Sequence, residues 1–185
     1  MAERGRLKVN ESWVTALTAL IHPRSVTMLF LGFSAGIPIL LIFSTLSVWL
    51  REAGVERATV TFFSWAALGY SFKFVWAPLV DRLPLPKLIY QMGRRRSWLL
   101  VSQFAIVIAI LWTSSFDPQT TVMMTAVGAV LIGFASATQD IVIDAYRRES
   151  LADEEQAIGA SAYVLGYRIG ALAAGAGGLI LADYM

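Results

Sequence analysis

From Ser25 to Leu50 the chain runs for 26 residues without one Asp, Glu, Lys or Arg. A helix rises about 1.5 Å per residue and a bilayer's hydrocarbon core is about 30 Å thick, so roughly 20 such residues cross it. Two more uncharged runs come later, 20 residues from Ser97 to Phe116 and 22 from Pro118 to Gln139. Two further apolar stretches carry one charge each: Lys73 lies within 58–80 and Arg168 within 157–182. In lipid every backbone N–H and C=O must be bonded internally, which makes such runs helices. The reading is an all-α membrane protein with five transmembrane helices at about 25–50, 58–80, 97–115, 120–146 and 157–182. With 57% hydrophobic and 15% charged residues, the chain has too little charge for a surface facing water. The first run is too long for a signal peptide and no cleavage site follows it.

The connections set the direction. Basic residues number 4 before the first span (Arg4, Arg6, Lys8, Arg24), 2 in the first loop (Arg51, Arg57), 5 in the second (Arg82, Lys87, Arg94, Arg95, Arg96), none in the third and 2 in the fourth (Arg147, Arg148). Alternate connections therefore carry 11 on one side and 2 on the other. Lys and Arg are retained on the cytoplasmic side, so the N-terminus and the second and fourth loops are expected in the cytoplasm, in contact with the lipid bilayer. Residues 1–24 read as a cytoplasmic segment in which Trp13, Ala16, Leu17, Leu20 and Ile21 recur at helical spacing, as in an amphipathic helix on the membrane surface. Residues 25–185 read as an incomplete transmembrane bundle. Five spans place Met185 outside, and an odd number fits poorly with paired repeats. The expectation is the N-terminal part of a longer protein, either a truncated gene product or a fragment.

Cysteine is absent, which removes disulfides, thiolate metal sites and cysteine nucleophiles. One histidine, His22, leaves no material for a histidine metal site or a Ser-His-Asp triad. With no nucleophile–base pair or phosphate loop in the sequence, the chain is not read as an enzyme, and neither metal nor cofactor is expected. The basic residues follow membrane topology and do not mark nucleic acid.

Four ionisable side chains fall within spans: Lys73, Asp140, Asp144 and Arg168. Each costs about 2.5–3.5 kcal/mol at the bilayer centre unless it has a partner, a wet cavity or a route to the interface. Lys73 lies eight residues before Asp81, roughly 12 Å deep, a distance its stem largely covers by snorkelling. Asp140 and Asp144 are four apart and share a helix face, which Gly133 and Ser136 continue with small groups suited to a cavity. Two carboxylates so close are fit to hold a proton between them; the alternative is a structural pair bonded to Lys73 or the loop arginines. Arg168 sits near the middle of the fifth span, too deep for easy escape. Its planar fork suits an anionic substrate group, or else a permanent ion pair with Asp140 or Asp144.

Small residues have a packing meaning. Gly32 and Gly36, followed by Pro38, and Gly166 and Gly170, continued by Ala174 and Gly178, keep the four-residue spacing that lets helices approach closely. At the second loop, Asp81-Arg82 ends one span and Gly93-Arg94-Arg95-Arg96 opens the next. That is the composition of a charged latch, or gate, at the cytoplasmic face; for the arginines alone, topology and anionic lipid suffice.

The order of these features resembles the major facilitator superfamily, in which a Gly-x-x-x-Asp-Arg-x-Gly-Arg-Arg type motif joins helices two and three. Here Ala77 replaces the leading glycine and an insertion separates Asp81-Arg82 from Gly93-Arg94-Arg95. The stretches LGFSAGIP (31–38), FKFVWAPLVDR (72–82), GRRRSWLL (93–100), SATQDIVIDAYR (136–147) and VLGYRIG (164–170) resemble the AmpG-type muropeptide permeases. The resemblance implies five helices of a six-helix N-terminal bundle whose C-terminal half is missing. It further implies a proton-coupled importer of anhydro-muropeptides (GlcNAc-anhydroMurNAc peptides) in a bacterial inner membrane, serving peptidoglycan recycling by alternating access, with H+ as coupling ion. A cavity containing Arg168, Gln139, Asp140, Asp144 and Lys73 suits such a ligand. The alternatives are a related permease for another solute such as acetyl-CoA, or a truncated membrane remnant that does not transport.

The basic asymmetry makes a direct prediction. Reporter fusions after Asp117 should read periplasmic, and fusions after Arg96 or Arg148 cytoplasmic; the opposite pattern would reverse every depth given above.

Overall fold

A computed structural model describes residues 20–56, 59, 63–83 and 92–184. Most of the expected interfacial helix lies outside the described residues. The first element, α1 (Pro23–Glu52), begins where Pro23 presets the helical φ and His22 Nδ1 accepts the Arg24 backbone N–H at 3.4 Å. The interior Pro38 has no N–H to donate. Three residues on, the helix widens to π geometry over Leu41–Thr45 before resuming at Leu46–Glu52.

The second expected span, 58–80, differs from the single helix read from sequence. Residues 57, 58 and 60–62 lie outside the described set. The next element, α2, comprises a 3-10 turn (Phe63–Trp65) and two helical pieces, Ala66–Ser71 and Lys73–Arg82. Phe72, at φ −99° and ψ 8°, separates them. Gly69 before the break loosens the turn, and Pro78 after it lacks a donor. A three-residue bond, Val75 N–H to Phe72 C=O at 2.9 Å, spans the joint. The remaining spans are unbroken: α3 (Arg94–Ser114), α4 (Val122–Ser150) and α5 (Gln156–Tyr184). They outrun the uncharged stretches at several ends because charged residues continue the helix past the apolar core. No strand occurs among the described residues. Among them four helices are long and apolar enough to cross a membrane, α2 being the exception.

α4 is the hub. In its most apolar stretch 61% of residues are buried, against 22–33% in the other three long helices, because α1, α2 and α3 all pack on it. One apolar cluster joins α1, α2, α3 and α4 through Ile42, Leu46, Leu50, Phe63, Ala66, Ala109 and Ile132. A second, at the Arg94 end, joins Ala35, Val80, Leu99 and Val142.

α5 instead lies along α1, and glycine sets the distance. A Cβ on Gly32 would overlap the Tyr163 carbonyl, one on Gly36 the Tyr167 carbonyl, one on Gly166 the Leu29 carbonyl and one on Gly170 the Phe33 carbonyl. The α2–α4 crossing repeats the arrangement, with Gly133 against the Ala66 carbonyl and Gly69 against Gly133. The sequence repeats with it: Gly32-Phe33 on α1 matches Gly133-Phe134 on α4, and Leu68-Gly69-Tyr70 on α2 matches Leu165-Gly166-Tyr167 on α5. The two glycine crossings are thus one device used twice.

Gly166→Ala should destabilise the protein by about 1–3 kcal/mol, the usual range for forcing atoms into a filled contact. Gly177→Ala, whose Cβ meets nothing within 4 Å, should be neutral or mildly stabilising. Thermal unfolding of the two variants in detergent checks this; equal midpoints would show that the seam yields.

Candidate functional site

α4 carries polar side chains that meet α1, α2 and α3. Toward α2, the Tyr70 hydroxyl donates to Ser136 Oγ at 2.8 Å and Trp76 Nε1 to Thr138 Oγ1 at 3.2 Å, with Trp76 stacked on Phe134 at 4.2 Å between ring centroids. Gly133 and Ser136, expected to continue a cavity face, are therefore taken up by packing against α2. Toward α1, Gln139 is fully buried and donates to Ser34 Oγ at 2.9 Å; Gln103 of α3 reaches the same hydroxyl at 3.4 Å. Gln139 thus acts as a strut between α4 and α1 and does not line open space.

Asp144 pairs with Lys73 Nζ at 4.0 Å across the α2–α4 gap and with Arg147 at 3.7 Å along its own helix. Asp140, one turn deeper, is within electrostatic reach of Lys73, Asp144 and Tyr163. Its Oδ1 is enclosed and has no hydrogen-bond partner among the described residues. Tyr70 and Tyr167 also feel its charge. Lys73, Asp140 and Asp144 therefore form one group at the level where α2 breaks.

Arg168 does not join them. It lies two residues from both Gly166 and Gly170, so at about 100° per residue it faces away from the α1 seam. It is exposed and has no partner among the described residues. The direct ion pair with Asp140 or Asp144, one of the two readings from sequence, is absent from the described structure. What α5 turns toward Asp140 is aromatic: Tyr163 and Tyr167, with ring centroids 6.2 Å apart.

At the Arg94 end, three helix termini meet on one guanidinium. Arg95 Nη1 donates to Asp81 at 2.5 Å, and Nη2 and Nε donate to Glu149 at 2.6 and 3.0 Å. Arg94 Nη1 donates to the Asp81 carbonyl at 2.6 Å. Gly93 holds φ +90°, a left-handed turn that suits glycine as α3 starts. Arg82 is exposed and pairs with no described residue. Sequence reasoning missed Glu149; the available signal was a carboxylate directly after Arg147-Arg148 at the end of a span. It also missed the three tyrosines, two of which stand in the repeated Leu-Gly-Tyr.

Apolar helices packed around one charged helix, with ion pairs at its end, define a multi-pass α-helical membrane protein. The chain belongs to the family described as acetyl-coenzyme A transporter 1, whose model matches residues 26–183. Among curated proteins it is 43% identical over 162 residues to the anhydromuropeptide permease of Escherichia coli (strain K12), covering 88% of this chain and 32% of that protein. To a protein named as transporter AmpG 4 in Rickettsia felis it is 39% identical over 160 residues, covering 86% of this chain and 38% of the relative. The chain thus spans about a third of the length of these relatives. The resemblance to AmpG-type permeases read from the motifs is shown by these matches.

The Arg95 cluster supports a graded prediction. Arg95→Gln should cost about 1–2 kcal/mol, because it leaves two carboxylates facing each other; both are half exposed, so solvent screening limits the loss. Glu149→Gln should cost less, and Asp81→Asn least, since Asp81 meets only one side-chain nitrogen. Thermal midpoints of the three variants test the order.

Proposed function

We propose that the chain supplies the N-terminal helices of a proton-coupled importer of anhydro-muropeptides, inserted in a bacterial inner membrane with its N-terminus in the cytoplasm. The carrying observation is the 43% identity to a protein named as an anhydromuropeptide permease, which extends over 88% of this chain. The arrangement of charge supports the mechanism. Lys73, Asp140 and Asp144 make a compensated group in which a carboxyl takes up and releases a proton, H+ being the coupling ion. Arg168, in the middle of α5 and paired with no described residue, is the group to hold an anionic part of the substrate. The Asp81–Arg95–Glu149 cluster is the latch that keeps the cytoplasmic end of α2, α3 and α4 together between turnovers. Other helices of the longer protein complete the substrate cavity and alternating access.

Uptake of labelled anhydro-muropeptide by vesicles carrying the full-length transporter, with and without a proton gradient, tests this. Asp140→Asn or Asp144→Asn should bind substrate yet lose the response to the gradient. Arg168→Lys keeps the charge but loses the fork, and uptake should fall at least about tenfold, equivalent to about 1.4 kcal/mol. Accumulation of labelled acetyl-CoA in place of the muropeptide would favour the other family reading. Wild-type gradient dependence in both asparagine variants would move the proton site to another part of the protein.

A further inference from the structure

We infer that the space between α2 and α4 is a hydrated path by which the Lys73–Asp144 pair exchanges protons with the compartment on the basic side of the membrane. A cavity of about 420 Å3 opens between the two helices. On α2 its wall runs from Lys73 through Ala77 to Asp81, and on α4 from Ile141 through Asp144 and Ala145 to Glu149. Eight residues of helix on each side make it roughly 12 Å long. Its inner end is the Lys73–Asp144 pair and its outer end is Arg95 with Asp81 and Glu149. The cavity therefore borders both the intramembrane charges and the outer cluster, with Phe74, Ala77, Ile141 and Ala145 along the wall between them.

Its lining decides the occupant. Three cations (Lys73, Arg95, Arg148) and three carboxylates (Asp81, Asp144, Glu149) share the wall, so net charge is balanced and neither an anion nor a metal cation is called for. Six charged groups around 420 Å3 retain water, because dehydrating them costs far more than ordering a few solvent molecules. The Lys73–Asp144 contact, at 4.0 Å, is loose enough for water to serve both partners.

Asp144 is also faced by Arg147 and Asp140 on its own helix and by Tyr163 on α5. A protonated Asp144 would give its proton to water in the path and remain as a carboxylate held by Lys73 and Arg147. Arg95 stands across the mouth, so the cluster that ties three helix ends together also sets how freely the path opens. The proton role rests on the function proposed above; the water path rests on the cavity.

The absence of cysteine from this chain makes the path open to direct measurement. In a cysteine-free full-length transporter, Ala77→Cys and Ala145→Cys place one thiol each in the wall. A membrane-impermeant, charged methanethiosulfonate is then applied to right-side-out and inside-out vesicles. Both thiols should react from the face bearing the Arg94–Arg96 loop and at least tenfold more slowly from the other. Leu79→Cys, exposed on the other side of the same helix, should stay unreactive as the lipid-facing control. Adding Arg95→Ala should speed both cavity thiols several-fold. Cavity thiols as inert as Leu79→Cys from both faces, in protein correctly inserted, would overturn the path. Labelling as expected alongside gradient-independent uptake would keep the path and remove the proton reading.

Discussion

α1 and α5 cross where Gly32, Gly36, Gly166 and Gly170 admit facing carbonyls that a Cβ would overlap. Because both helices must present glycine to the seam, the orientation of α5 has no freedom left. Tyr163 and Tyr167 are turned toward α4, and Arg168 is turned the other way. The separation of the arginine from the aspartates follows from packing, with no electrostatic preference invoked. The matching crossing of α2 and α4 through Gly69 and Gly133 does the same for Tyr70, whose hydroxyl reaches Ser136.

α4 then sorts charge by direction. Its buried carboxamide Gln139 meets Ser34 of α1, its aspartates meet Lys73 on α2, and its terminal Glu149 meets the first turn of α3. A polar group inside an apolar bundle is tolerated when each hydrogen-bonding atom finds a partner. Among the described residues the exceptions, Gln139 Oε1 and Asp140 Oδ1, fall on adjacent residues of the hub.

Much of this was legible in the sequence, for physical reasons. An uncharged run of 26 residues has one stable form in lipid, so α1, α3 and α4 could be placed within a few residues of their observed ends. The Gly-x-x-x-Gly spacing pointed to close packing, though not to which helices meet, because that depends on partners far away in sequence. The break at Phe72 was hidden: hydropathy averages over a window and does not register a single residue at φ −99°. Lys73 could be ranked by depth, yet its pairing with Asp144 depends on that break, which ends one helical piece just before the lysine. Glu149 looked like an ordinary interfacial carboxylate until α3 and α4 were seen to bring it to Arg95. Arg168 was the reverse case. Cost alone argued for a shared cavity, and the glycine seam placed it elsewhere.

The π turn at Leu41–Thr45 bears on how α1 accommodates change. One such turn holds an additional residue within a helix whose two ends stay where their neighbours fix them. Below it α1 is locked to α5 by glycine, and at its last residue Thr45 donates to the Ala174 carbonyl at 3.2 Å. Removing one residue from this stretch would restore ordinary helical winding and leave Leu46 and Leu50 in the same core. A one-residue deletion elsewhere in α1 would rotate everything after it by about 100° and turn those leucines out of the bundle. Length variation among related chains should therefore collect in this turn, and an alignment gap there marks conserved structure.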